Sequence, residues 1–143
     1  ALLLDENNFV AEGSGNNFFI VKNGIVITPT GKDILRGISR EYIFEICKQL
    51  DIQCIEKNFE TFDIYEADEA FVTATPFCML PVTKLNGINI SDGKVGNYFH
   101  KLLNKWSKNV GIDIKKQIIE YSKEEKTLLG NAPTPLRFKP RNA

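Results

Sequence analysis

The chain has 143 residues, 43% hydrophobic and 25% charged, which suits one domain with a sizeable core. Lys+Arg and Asp+Glu both number 18, so the near-zero net charge argues against nucleic acid or a membrane surface as the main partner. No apolar run approaches the ~20 residues that span a bilayer, and one histidine with three scattered cysteines speaks against a structural zinc site.

Residues 1–4 are apolar and predict a buried strand, closed by the turn Asp5-Glu6-Asn7-Asn8. They lack the basic n-region of a signal peptide. Opening on such a strand is expected of a domain cut from a longer protein. Next, Glu12-Gly13-Ser14-Gly15-Asn16-Asn17-Phe18-Phe19 sets one carboxylate in a tight turn between apolar runs. Gly, Ser and Asn suit turns because they tolerate positive φ or bond their own backbone. Glu12 then falls at the edge of a buried sheet, where an unpaired carboxylate is costly. Most turn glutamates are simply solvated, so Glu12 gains weight only from later segments.

Residues 18–21 and 25–27 flank Lys22-Asn23-Gly24, and Asn-Gly between apolar runs predicts a hairpin. Pro29 and Gly31 end it. After Leu35-Arg36-Gly37-Ile38-Ser39-Arg40, the recurrence of Tyr42, Ile43, Ile46, Cys47 and Leu50 predicts a helix of about a dozen residues. Ser39 is placed to cap it. Residues 52–55 read as a short strand, and 61–65 as a helical turn capped by Thr61. Residues 70–73 and 79–85 read as strands separated by Ala74-Thr75-Pro76. Asn86-Gly87 is a turn. Residues 98–110 read as a helix with Phe99, Leu102, Leu103, Trp106 and Val110 on its apolar face.

Cys47, Cys54 and Cys78 lie in helical or strand-like patterns and are expected to be buried free thiols, which points to a cytoplasmic compartment. The charge run of residues 122–126 and the three prolines between 132 and 141 predict an extended or disordered tail over 122–143, after a domain of residues 1–121.

Two further segments carry chemistry. Gly37-Ile38-Ser39 opens a helix, where free N–H groups, the helix dipole and a hydroxyl make an anion site. Thr73-Ala74-Thr75 supplies hydroxyls at a strand end, a frequent ligand position in α/β proteins. Alone, each is more often a satisfied cap or turn.

Together the segments resemble a known family. They are Val10-Ala11-Glu12-Gly13-Ser14-Gly15-Asn16-Asn17-Phe18-Phe19, Thr28-Pro29, Leu35-Arg36-Gly37-Ile38-Ser39-Arg40, Ala67-Asp68-Glu69-Ala70-Phe71-Val72-Thr73-Ala74-Thr75 and Asp92-Gly93-Lys94-Val95-Gly96. In order and spacing over residues 1–112 they resemble the C-terminal part of the class IV, pyridoxal-phosphate-dependent aminotransferases. That group includes branched-chain aminotransferases, D-amino acid transaminases and aminodeoxychorismate lyases. The resemblance implies a mixed α/β fold, with a curved, pseudobarrel-like sheet and outer helices.

It also implies roles. Glu12 would hydrogen-bond the pyridine nitrogen of pyridoxal 5'-phosphate, and Leu35 would pack on the ring. The Ile38 and Ser39 backbone N–H groups would cradle the phosphate, with the Ser39 and Thr75 hydroxyls. The Thr75-Pro76 segment would face the substrate carboxylate. Pro76 departs from the family, because proline has no N–H where relatives use backbone donors. Asn16 stands where Glu is common.

The Schiff-base lysine of the family lies upstream of the Glu12 motif. None of the eleven residues before Glu12 is Lys, and Lys22 sits in the hairpin after it. No catalytic residue is therefore assigned, and the chain alone is expected to be inactive. Its parent is expected to be a homodimer moving an amino group between an amino acid, branched-chain or D, and a 2-oxo acid. The alternatives are an aminodeoxychorismate lyase or amine transaminase on the same scaffold, or a truncated, non-enzymatic module binding a ligand or partner.

Overall fold

The computed structural model describes residues 1–130. Its elements are β1 (Leu2–Leu4), β2 (Val10–Gly13), β3 (Asn17–Lys22), β4 (Ile25–Thr28), α1 (Ile38–Gln49), β5 (Cys54–Glu56), α2 (Thr61–Tyr65), β6 (Glu69–Ala74), β7 (Cys78–Val82), β8 (Lys84–Leu85), β9 (Ile88–Asn89), α3 (Asn97–Val110) and α4 (Ile114–Gly130). This is the expected mixed α/β architecture of sheet and helices. Five strands form one sheet in the order β5-β4-β3-β6-β7, while β1-β2 and β8-β9 pair separately.

β3 lies in the middle of that sheet and is apolar on both faces, as Phe18-Phe19-Ile20-Val21 requires. Its hairpin to β4 closes with Asn23 and Gly24 both left-handed, at φ 51° and 78°. This is the backbone a two-residue hairpin demands. Alternation along β3 and β6 sends the two faces of the sheet to two cores. Phe19, Val21 and Phe71 face α1 and α3, packing with Ile43, Ile46, Cys47, Phe99, Leu102 and Trp106. Phe18, Ile20 and Ala70 face the other way, against Val10, Phe59, Ile64 and Ile90. Phe19 and Phe71 are direct cross-strand partners and stack with centroids 4.8 Å apart, worth about 0.5–1.5 kcal/mol beyond burial.

A carboxylate ties α3 to the sheet. Glu69 of β6 is buried and accepts the N–H groups of Tyr98 and Phe99, each at 2.8 Å. These donors belong to the first turn of α3, which has no intrahelical acceptor for them. Glu69→Ala strands both, and is expected to cost about 2–4 kcal/mol. Urea unfolding checks this: the midpoint should fall while the slope stays constant.

Several expectations need correction. β1 is a strand, but Leu3 and Leu4 are nearly half exposed rather than buried. Ser39 does not cap α1; Gly37 is the extended residue before the helix, and no side chain caps it. Thr61 is the first helical residue of α2, whose cap is Glu60, with Asp63 Oδ2 accepting the Glu60 N–H. Val110 lies off the buried face of α3, and Cys54 and Cys78 are only partly buried. Residues 122–130 continue α4 instead of starting an extended arm. The rest of the expected tail, 131–143, lies outside the described residues.

Candidate functional site

The rows that build the core change character at one end of the sheet. Along β3, Val21 and Phe19 are followed in phase by Asn17; along β6, Glu69 and Phe71 are followed by Thr73. β3 and β6 are antiparallel and Asn17 pairs with Thr73, so both polar residues fall at the same end and on the same face. A cavity of about 190 Å³ opens there. It is lined by Glu12, Asn17, Leu35, Gly37, Ile38, Ser39, Thr73, Thr75 and Pro76, among others. All six residues singled out by the resemblance (Glu12, Leu35, Ile38, Ser39, Thr75 and Pro76) therefore meet in one place.

Three features give this cavity both polar and apolar lining. Glu12 of β2 is half-buried, and its Oε2 accepts the Leu35 N–H at 3.1 Å and Asn17 Nδ2 at 3.3 Å. Helix α1 begins without a side-chain cap, so the N–H groups of Ile38 and Ser39 have no intrahelical acceptor and sit at the positive end of the helix dipole. Leu35 and Ile38 are 76% and 85% exposed. Two large apolar side chains left open at a cavity mark a contact surface rather than core.

The cavity is also incompletely satisfied. The Thr73 hydroxyl is buried without a hydrogen-bond partner, as is Asn16 Oδ1, and both residues line the space. Buried polar groups are rarely left so, and a ligand with polar atoms would complete them. Thr75 and Pro76 occupy the exposed turn after β6. Thr75 offers a hydroxyl and Pro76 no N–H.

The first turn of α1 is held from behind by Arg40, a fully buried cation. It donates to the Pro29 carbonyl at 3.0 Å and to the Glu56 and Glu41 carboxylates. Arg40 is buried while both carboxylates are largely exposed, so removing those acceptors would leave a buried cation poorly compensated. Arg40 and Asn17 are given no role by the sequence, and Thr73 figures there only as part of the strand-end segment Thr73-Ala74-Thr75. For Asn17 and Thr73 a signal exists: each is polar in phase with a buried aromatic two residues away.

Lys22 sits at the opposite end of β3, roughly 17 Å along the strand. Its hydrogen bond and ion pair with Glu66, at 2.9 Å, push its pKa above the ordinary lysine value. It is protonated and remote, which disqualifies it as a nucleophile here. Burial pushes the Cys78 thiol above its usual value, so that group is a poor nucleophile as well.

The amino-transferase class IV family model matches residues 1–85, and the chain belongs to that family. A relative from Methanocaldococcus jannaschii is 40% identical over 107 residues, covering 74% of this chain and 37% of that protein. The branched-chain-amino-acid aminotransferase of Pseudomonas aeruginosa is 37% identical over 102 residues, 71% of this chain and 33% of its own length. Among solved structures, a branched-chain amino acid aminotransferase from T.th., crystallised with pyridoxamine 5'-phosphate, superposes with a TM-score of 0.69 at 35% identity. That match covers 71% of this chain and 34% of the other. The chain thus spans about a third of the length of the relatives it matches. Among the described residues no helix is long and apolar enough to cross a membrane.

Proposed function

We propose that this chain is the cofactor-cradling part of a pyridoxal-phosphate-dependent aminotransferase, moving an amino group between an amino acid and a 2-oxo acid. The observation that carries the reading is that one cavity is lined by a hydrogen-bonded carboxylate, an uncapped helix N-terminus and two exposed apolar side chains. A flat aromatic ring bearing a ring nitrogen and a phosphate calls for that set of groups. The orphaned Thr73 hydroxyl supports it, because a polar ligand would complete it. The names of the relatives favour a branched-chain amino acid as the substrate.

At about 190 Å³ the cavity is smaller than the ~300–1,000 Å³ usual for ligand pockets. We infer that the remaining walls and the covalent-anchor lysine belong to the roughly two thirds of the relatives' length that this chain does not span, in a homodimeric enzyme of a cytoplasmic compartment. Pyridoxal phosphate, when bound, supplies the electron sink for amino-group transfer. This chain's residues do the rest of what is assigned to it. Glu12 holds a proton at the ring nitrogen. Leu35 and Ile38 cover the ring and exclude water. The Ile38 and Ser39 N–H groups, with the Ser39 and Thr75 hydroxyls, bind the phosphate dianion. Pro76 contributes shape beside the substrate carboxylate but no hydrogen bond.

Ser39→Ala and Thr75→Ala in the full-length enzyme test the phosphate end. Each removes a donor to a charged group, worth about 1.5–3 kcal/mol, so Kd for pyridoxal phosphate should rise roughly ten- to hundredfold. Unchanged affinity in both variants would place the phosphate elsewhere.

A further inference from the structure

Asn17 touches three separate parts of the site, and nothing in the family resemblance gives it a role. It is buried at the first position of β3. Its Nδ2 donates to the Leu35 carbonyl at 2.8 Å and to Glu12 Oε2 at 3.3 Å. Its Oδ1 lies only 2.5 Å from where a Cβ on Gly37 would stand, so a side chain at position 37 would push the amide out of its place. One side chain thus contacts the carboxylate on β2 and both ends of the 35–37 loop that delivers the α1 N-terminus.

The hydrogen bonding around Glu12 is one-sided. Oε2 takes two donors, the Asn17 amide and the Leu35 N–H. Those two donors anchor Oε2. Oε1 is left as the oxygen with unused acceptor capacity, in a residue that lines the cavity.

We propose that Asn17 is a positioning residue that holds Glu12 with one oxygen committed to the protein and the other reserved for the ring nitrogen of the bound group. This rests on the cofactor reading above. It predicts a specific defect. Losing the Asn17 amide should reduce recognition of the ring nitrogen, while a merely structural Asn17, supporting the loop, would weaken every ligand of the cavity alike.

The test is a binding comparison in the full-length protein, with no turnover required. Two probes are used: pyridoxamine 5'-phosphate, and its deaza analogue with CH in place of the ring nitrogen. The ratio of their Kd values reports the nitrogen contact alone, since the phosphate end is common to both. Asn17→Ala should reduce the wild-type preference for the nitrogen-bearing ligand by about tenfold, the size of one charge-assisted hydrogen bond. Affinity for the deaza analogue should stay within about twofold. Asn17→Asp, which keeps the volume but replaces the donor with a second carboxylate beside Glu12, should have the same effect and decides the matter if the alanine variant does not fold.

A double-mutant cycle completes the test. In a Glu12→Gln background the preference is already lost, so Asn17→Ala should lower it no further. Equal weakening of both probes, or an undiminished effect of Asn17→Ala in the Glu12→Gln background, would overturn the positioning role while leaving the cofactor reading intact. A wild-type protein with no preference between the probes would overturn both.

Discussion

Glu12→Gln in the full-length enzyme is expected to lower kcat by about a hundred- to thousandfold while weakening pyridoxal phosphate binding only about tenfold, the loss of the single ring-nitrogen contact. An amide of nearly the same shape keeps the packing, and its carbonyl oxygen can still accept from Asn17 and Leu35. What it cannot do is hold a full negative charge against the ring nitrogen. A preorganised charge aimed at where charge develops is commonly worth two to three orders of magnitude in rate. Binding is different, because the phosphate contacts at Ser39, Thr75 and the start of α1 are untouched. Steady-state kinetics with a cofactor titration separates the two quantities. Parallel losses in both would mean that Glu12 only supports the cavity wall.

The second large effect concerns backbone, not side chain. Ile38→Pro should leave the fold within about 1 kcal/mol of wild type, yet weaken phosphate-ligand binding roughly ten- to hundredfold. Proline is well tolerated at the first position of a helix, where the N–H has no intrahelical acceptor. The residue before a proline must be extended, and Gly37 already is, at φ −72° and ψ 142°. The Ile38 side chain is 85% exposed, so its loss removes little packing from the protein itself. The change deletes an N–H aimed at a charged ligand, worth about 1.5–3 kcal/mol, together with the Ile38 side chain over the ring, and Ile38→Ala, which keeps the N–H, measures the second loss alone. Thermal unfolding checks the first half and isothermal titration with pyridoxamine 5'-phosphate the second. Unaltered affinity would remove the helix N-terminus from the site.

The contrast between Ser39 and Asn17 shows what can be read in advance. The hairpin around Asn23-Gly24 and the apolar faces of α1 and α3 follow from local backbone preference and periodicity, and they form with nearly the expected bounds. The motif residues Glu12, Leu35, Ile38, Ser39, Thr75 and Pro76 stand out by their order along the chain, and they converge. Ser39 reads as a cap because a Ser near a helix start is usually one. The start of the helix is set instead by Gly37, whose close approach to Asn17 is a tertiary contact across twenty residues. The role of Asn17 depends on Leu35 folding back over β2 and β3, which no local pattern encodes. The segment from residue 122 misleads for another reason. A charge run reads equally as a solvated tail or as the wet face of a helix, and the Lys116–Glu120 pair, at 3.9 Å and spaced i,i+4, belongs to the second.

The cavity lined by Glu12 and the start of α1 is proposed to hold a phosphorylated pyridine ring. Backbone amide chemical shifts of this chain, followed by NMR during titration with pyridoxamine 5'-phosphate and separately with unphosphorylated pyridoxamine, test it most directly. Saturable shifts are expected at Leu35, Ile38, Ser39, Thr73 and Thr75 with the phosphorylated ligand, and much weaker binding without the phosphate. Shifts centred away from these residues, or equal binding of the two ligands, would contradict it.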